Sequence, residues 1–380
     1  MNLPNKPKVL AATYNPVSNT KMISFLVDFP TVLLAELRTH RILTQGSLYE
    51  HSELVDFNLS ANSARAIPHN KYLQKVLDNP FIPIWTKQQK GMSGEILNDE
   101  TIEEATHLWL EHLQSDIVDT GTAQYFEDLI KLGVHKQNAN RILSPYAYTT
   151  CIISGTEWDN FFELRCPKYH TPVTGEGFYA KSKKELISWH SNPDNLEKLK
   201  DPNFDWGSIN TSSAQPEFQV IAEMLYDLYQ EANWKESKYH IPFYDDIIRT
   251  YCVEPSSQAT QEEVDEFYKL MMLTSASMCA KLSYNTQDNE DTLEKHLERA
   301  NLLIEHKHQE PFSHQAVAMD YWQYENFTKT FLVRNLNQNK WKNSEIEDLG
   351  FECKITEKGW CYNLRGFKSF RYILENEQYK

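Results

Sequence analysis

The six cysteines of this 380-residue chain (Cys151, Cys166, Cys252, Cys279, Cys353, Cys361) include no Cys-x-x-Cys pair, which excludes a zinc ribbon or dithiol signal. Reduced, mostly buried thiols are the expectation. Cations are in short supply: 38 Lys and Arg stand against 53 Asp and Glu, for a net charge of −15. Polymeric nucleic acid is a poor partner for such a chain, because backbone binding needs clustered Lys and Arg, whereas a free nucleotide needs only a few local cations. No long apolar run is free of charge. The longest, Met22 to Leu37, is broken by Asp28, Pro30 and Glu36, and Met1 to Lys8 lacks the apolar core of a signal peptide. The expectation is a soluble cytoplasmic protein with no membrane partner, in which the glycosylation-type tripeptides at Asn58, Asn210 and Asn326 carry no meaning. A Gly-Lys-Ser/Thr phosphate loop and internal repeats are also missing. Gly175-Glu176-Gly177-Phe178-Tyr179-Ala180 fits a permissive dinucleotide pattern, but no apolar strand precedes it. Any redox cofactor must be held without the usual glycine loop.

What is present points to a folded protein. Hydrophobic residues make up 41% and aromatics 12%, with 20 Tyr and 18 Phe, enough for one large core or two. Lys21 to Phe29 reads as a strand, and Pro30-Thr31 opens a helix whose Val32, Leu33, Leu34 and Leu37 supply an apolar face toward Arg41. A helical pattern runs from Thr101 to Val134, with a break at Thr120-Gly121-Thr122. Thr156 is expected to cap a helix on which Trp158, Phe162 and Arg165 share a face. Amphipathic helices are expected at Ala214 to Ala232 (Phe218, Ile221, Leu225, Leu228) and Asp291 to Glu305 (Leu293, Leu297, Ala300, Ile304). The polar stretch between Arg165 and Ala214 reads as an inserted lobe, and the last fifty residues as a short sheet or irregular cover.

Three places carry chemistry. Thr39-His40-Arg41-Ile42-Leu43-Thr44 and Ser60-Ala61-Asn62-Ser63-Ala64-Arg65-Ala66 set cations, an imidazole and hydroxyls behind an apolar segment, a composition suited to a phosphate and a planar anionic ring. Arg165, on an otherwise apolar face, must find an anion or a π-face, since an unpaired buried cation is costly. His306-Lys307-His308-Gln309-Glu310-Pro311-Phe312-Ser313-His314 reads as a metal site, as surface histidines, or as a ligand-cradling turn. The last is favoured, because no second cluster has metal-ligand spacing and Pro311 forces an extended turn; no metal is expected. Taken singly, Arg141 reads as a surface arginine, and Ser63 with Arg65 as a polar loop pair.

Together, these segments resemble the signature of flavin-dependent thymidylate synthases: Arg-His-Arg, a spacer, then Asn-Glu-x-Ser-x-Arg. Thr39-His40-Arg41 and Ser63-x-Arg65 are followed in the family's order by Arg141, then Asn160-Phe161-Phe162-Glu163-Leu164-Arg165, then Ala214-Gln215-Pro216-Glu217. The family's Ala-Arg-Val-Ser segment and His-x-x-Pro-Phe-Glu-His turn normally come first. Here their counterparts, Ala280-Lys281-Leu282-Ser283-Tyr284 and His308 to His314, lie near the C-terminus, an order similar to a circularly permuted, longer phage-type member. The resemblance implies an α+β fold in which residues 1–165 (with a helical segment at 101–134) and 214–330 form a permuted core, 166–213 a lobe and 331–380 a cover.

It further implies transfer of a one-carbon unit from methylenetetrahydrofolate to C5 of dUMP, with FAD as cofactor and NADPH as reductant, in the host cytoplasm if the chain is phage-encoded. By carry-over, Arg165 stabilises charge on the uracil ring. Ser63, Ala64, Arg65 and Arg141 hold the nucleotide, His40, Arg41, Asn160, Ser283, Glu310 and Ser313 line the flavin, and His308 lies near flavin and folate. A homotetramer with shared sites is implied as well. The chain departs from the pattern at Thr39, Ala61, Lys281 and Ser313, and residues 45–57 form an insertion between the motif halves. Those departures leave two other outcomes open: a flavin- and folate-dependent pyrimidine nucleotide hydroxymethylase, and a non-catalytic nucleotide-binding relative.

Overall fold

Met22-Ile23-Ser24-Phe25-Leu26-Val27-Asp28-Phe29 has few polar residues because the strand it forms, β2 (Lys21–Pro30), is covered on both faces. In this computed structural model, residues 1, 3–38, 57–61, 67–88, 94–115, 120–171, 178–190, 193–251, 254–284, 291–334 and 352–377 are described. The main sheet has the order β3-β4-β2-β1-β5. β1 (Lys8–Tyr14), β3 (Phe57–Ala61) and β4 (Tyr148–Gly155) run antiparallel to their neighbours, and only the two-residue β5 (Lys235–Glu236) joins β1 in parallel. An antiparallel sheet with helices laid on it fits the expected α+β class.

Register decides which side chains share a face, since neighbouring residues of a strand point to opposite sides. Ile23, Phe25, Val27 and Phe29 of β2 join Cys151 and Ile153 of β4 in one apolar cluster. Over it lie α6 (Asp159–Arg165), with Trp158, Phe161 and Phe162, and α9 (Pro216–Glu231), with Phe218, Ile221 and Leu225. Burying each of these aromatics contributes roughly 1.5–3 kcal/mol. After Pro30, a 3-10 turn (Thr31–Leu33) and α1 (Leu34–Arg38) bury Leu33 and Leu37 against the same cluster, while Val32 is exposed.

Ser24 and Ser154, directly opposite each other in the β2–β4 register, belong to the other face. That face meets a second sheet, β12-β7-β6, made of β6 (Tyr239–His240), β7 (Ala316–Ala318) and β12 (Phe367–Ser369). It also meets the helical layer of α10 (Tyr244–Thr250), α11 (Gln261–Tyr284), α12 (Leu293–Glu305) and α14 (Phe370–Asn376), whose core includes Ile247, Met271, Ala276, Ala300, Phe312 and Phe370. Phe367 to Asn376 are therefore woven into the fold. β8 (Thr328–Arg334) pairs with β9 (Glu352–Lys358), and β10 (Trp360–Cys361) with β11 (Leu364–Arg365). α13 (Tyr321–Asn326) carries a capping box at Asp320.

A third cluster gathers α2 (His69–Asp78), α3 (Asp99–Leu113), α4 (Thr122–Lys131) and α5 (Lys136–Ala139) around Tyr72, Leu113, Phe126 and Leu143. Gly121, at φ 134°, makes the expected break between α3 and α4. Residues 166–213 contain α7 (Lys183–Trp189) and α8 (Pro193–Lys200), with a small core of Tyr169, Ala180, Leu186 and Leu199. The Gly175-Glu176-Gly177 pattern begins outside the described residues.

Two expectations need correction. Thr156 does not cap α6: the N-cap is Trp158, whose side chain makes no capping bond, and the Thr156 hydroxyl instead accepts from the Arg365 backbone N–H at 2.9 Å. On α12, the buried line is His296, Ala300 and Leu303, turned from the expected stripe, because His296 reaches the Ser277 hydroxyl of α11 at 3.0 Å. Cys151, Cys166, Cys279 and Cys361 are buried thiols, as expected; burial pushes Cys279 and Cys361 up to about 12. Among the described residues, no helix is long and apolar enough to cross a membrane.

Candidate functional site: a stacked arginine and a charged cleft

Arg165 ends α6 on the aromatic face, where Trp158 and Phe162 stack at 5.7 Å between ring centroids. Its guanidinium lies 4.8 Å from the centroid of the Phe218 ring, the π-face expected for a cation in this position. Burial pulls its pKa down and the Glu36 carboxylate of α1 pushes back. Nε is buried and finds no hydrogen-bond partner among the described residues. A buried guanidinium N–H without an acceptor is costly, and Arg365 Nε has the same status among the described residues.

On the opposite face, the two C-terminal motif blocks meet. Ala280 of α11 and Leu303 of α12 join Lys307, His308, Gln309, Glu310, Pro311 and Arg371 around a cleft of about 330 Å³. Its volume is at the small end of the roughly 300–1,000 Å³ usual for ligand pockets. Apolar Ala280, Leu303 and Pro311 are joined by cationic Lys307 and Arg371 and by the Glu310 carboxylate, a lining of mixed charge. Arg371 is held by Glu375, its Nε donating at 2.9 Å.

The turn that shapes this cleft follows from the end of α12. His308 N–H donates to Leu303 O at 2.8 Å and Lys307 N–H to Ile304 O at 3.1 Å, the paired bonds of a Schellman cap. Lys307 sits in the left-handed region at φ 58°, where glycine is usual and a side chain costs roughly 1–2 kcal/mol. A 3-10 turn, Glu310–Ser313, then carries the chain down to the sheet. There Asn58 of β3 donates to Ser313 O at 2.7 Å.

The remaining expected site residues fall as follows. His308 and Glu310 are exposed at the cleft, and Ser313 is buried. Asn160 is half-buried in the first turn of α6, and Arg141 is exposed on the 3-10 stretch (Asn140–Tyr146) ahead of β4. Ser283 falls in the last turn of α11. His40, Arg41, Ser63, Ala64 and Arg65 lie outside the described residues. Lys281, which departs from the family's arginine, pairs with Asp291 at 3.2 Å, and Arg299 meets the same carboxylate at 2.8 Å. Burial alone would raise the Asp291 carboxyl, but Arg299 and Lys281 outweigh it and hold it below its ordinary value. Lys281 thus supports the join of α11 and α12.

Arg371 and Asn58 were not legible as site residues. Arg371 reaches the cleft from a helix 60 residues downstream of Pro311 in the chain, and Asn58 acts through a backbone carbonyl. No histidine, cysteine, aspartate or glutamate grouping fit for a metal occurs among the described residues.

No family model matches the sequence, and no curated protein matches it. Two solved structures that overlap with it are of the UMP/dUMP methylase PolB from Streptomyces cacaoi. The complex with 5-Br dUMP is 12% identical, with a TM-score of 0.33 over 57% of this chain and 69% of that one. The complex with 5-Br UMP is 10% identical, with a TM-score of 0.35 over 59% and 88%. At these values the overlap does not establish a common fold, and the functional reading rests on the chain's own residues.

Proposed function

We propose that this chain is a flavin-dependent thymidylate synthase-type enzyme, which transfers a one-carbon unit from methylenetetrahydrofolate to C5 of dUMP with NADPH as the ultimate reductant. The observation that carries this reading is Arg165: a half-buried guanidinium over the Phe218 ring, whose buried Nε–H has no acceptor among the described residues. C5 of a uracil becomes nucleophilic when charge builds toward O4, and a desolvated cation at that edge stabilises the charged ring more than the neutral one. Arg165 supplies this cation without a nucleophilic cysteine. The buried thiols at Cys279 and Cys361, with pKa values pushed up to about 12, are unsuited to that role.

The residues fit an anionic aromatic cofactor. Ala280, Leu303 and Pro311 offer apolar contact, Lys307 and Arg371 offer charge, and the resemblance adds His40, Arg41, Asn160, Ser283, Glu310 and Ser313. When bound, FAD supplies the hydride that this transfer requires. His308, on the rim, orients donor or water, and Ser63, Ala64, Arg65 and Arg141 hold the nucleotide, with Arg65 on its phosphate. Arg165 and the Glu310–Ser313 turn lie on opposite faces of the main sheet. A site that unites them takes the two halves from different copies, in keeping with a homotetramer.

The test is the visible spectrum of the purified protein with FAD, before and after dUMP, followed by product mass with folate donor and NADPH. A flavin band that shifts on adding dUMP, with dTMP as product, is expected. A hydroxymethylated product would replace the methyl-transfer step. A protein that neither binds FAD nor makes product would overturn the reading in favour of a non-catalytic relative.

A further inference from the structure

The lobe at 166–213 leaves the core directly after Arg165 and re-enters it a few residues before Phe218, whose ring faces the Arg165 guanidinium. Its two ends are fastened to each other. Lys168 N–H donates to Asn210 Oδ1 at 3.1 Å, Thr211 N–H to Lys168 O at 3.0 Å and His170 N–H to Ile209 O at 2.9 Å. The Ser212 hydroxyl donates at 2.9 Å to the carbonyl of Cys166, the residue after Arg165.

One side chain carries this fastening into α9. Asn210 Oδ1 accepts a second time, from Ser212 N–H at 3.0 Å, and Asn210 Nδ2 donates to Gln219 Oε1 at 2.6 Å. Gln219 Nε2 donates in turn to Ala214 O at 2.6 Å. Both amides are thereby oriented by their partners: an oxygen that meets two N–H groups leaves the nitrogen for Gln219, whose own nitrogen then faces a carbonyl. Gln219 is 7% exposed and lies in the first turn of α9 beside Phe218, which is 1% exposed. The lobe has other ties. Lys168 and Lys181 reach Glu163 of α6 at 2.7 and 3.2 Å, but that carboxylate is more than half exposed, and such pairs contribute about 0–1 kcal/mol. Glu223 accepts from Lys183 N–H at 2.7 Å and from the Tyr169 hydroxyl at 3.2 Å, more than a turn of α9 beyond Phe218.

We propose that Asn210, acting with Gln219, is a positioning residue for Arg165. Arg165 Nε has no partner among the described residues, so no bond at that atom fixes it over the ring. The place of guanidinium and ring is set through the backbone instead. Ser212 holds Cys166, next to Arg165; Asn210 holds Gln219, next to Phe218; and Asn210 also holds Ser212. One amide thus ties the end of α6 to the start of α9. The benefit for turnover rests on the function proposed above, in which Arg165 stabilises charge on the pyrimidine. The placement of the guanidinium does not rest on it.

The test is NMR of the full chain, following the Arg165 Nε–H, which is identified by its loss in Arg165→Lys. A proton held over an aromatic face resonates upfield of its position in free arginine, and Phe218→Leu shows how much of that displacement the ring supplies. In Asn210→Asp both N–H groups of the neck keep their acceptor, but an oxygen now faces Gln219 Oε1, and Gln219 cannot turn without opposing Ala214 O. Gln219→Met, of similar shape, removes the same tie from the α9 side. With circular dichroism showing that they fold, both variants are expected to move the Nε–H toward the free-arginine position. They are also expected to lower kcat on dUMP about tenfold with KM unchanged, since a misplaced cation is felt as charge builds on the ring. An Nε–H that stays in place in either folded variant would overturn the positioning role, whatever kcat does. If the wild-type protein does not turn over dUMP at all, the function proposed above fails, while the Nε–H still decides whether Asn210 places Arg165.

Discussion

Arg165 has a buried Nε–H with no partner among the described residues, and Lys307 has a left-handed backbone. Removing the guanidinium takes away charge stabilisation needed only as the reaction proceeds. Arg165→Ala is therefore expected to lower kcat by about 10²–10³, as for loss of a preorganised donor, with the circular dichroism spectrum intact. Unchanged product formation would remove Arg165 from the mechanism. Lys307→Gly should do two opposite things. Relief of the left-handed strain outweighs the added freedom of the unfolded chain, so stability is expected to rise by about 0.5–1 kcal/mol in denaturant titrations, while FAD affinity falls. A variant with lower stability and undiminished FAD binding would show that Lys307 is there for the turn alone.

At the level of elements, the local patterns were legible and the long-range partners were not. β2, α9 and the α3–α4 break were readable because each is written in consecutive residues: a run buried on both faces, a repeated apolar stripe and a glycine at a turn. The Thr156 cap failed because its hydroxyl answers Arg365, 209 residues away. β6 escaped notice, being two residues long and defined by its pairing with β7, and with it went His240. The buried pair His240 and His314 has a pH signature. Their native pKa values, about 3, lie below the roughly 6.5 of an unfolded histidine, so the unfolded chain takes up protons that the native one refuses. This contribution to stability is whole above about pH 6.5 and declines as pH falls toward 3, by up to roughly 2.7 kcal/mol per pH unit for the pair. Denaturant titrations at pH 7.5, 5.5 and 4.5 would reveal it. A flat profile over that range would mean that the fold accommodates a charged imidazole.

For the whole molecule, the sheet that separates Arg165 from the Glu310–Ser313 turn also makes a prediction about assembly. If sites are shared between copies, Arg165→Ala and His308→Ala, each impaired alone, are expected to recover activity when co-expressed, since some mixed sites then carry neither substitution. No recovery, in the presence of proven mixed oligomers, would place both halves of the site in one copy. The same sheet has a consequence in time. Ser24 and Thr13 wait for His240, 216 and 227 residues later, and Asn15 donates to the carbonyls of Met319 and Gly366. A chain emerging from the ribosome thus presents β1 and β2 long before the residues that cover them exist. Contacts this distant form late, and exposed strands invite association while they wait. The first thirty residues therefore complete their native surroundings only once the chain has been made as far as Gly366, and until then the β1–β2 hairpin is a surface for a chaperone to cover.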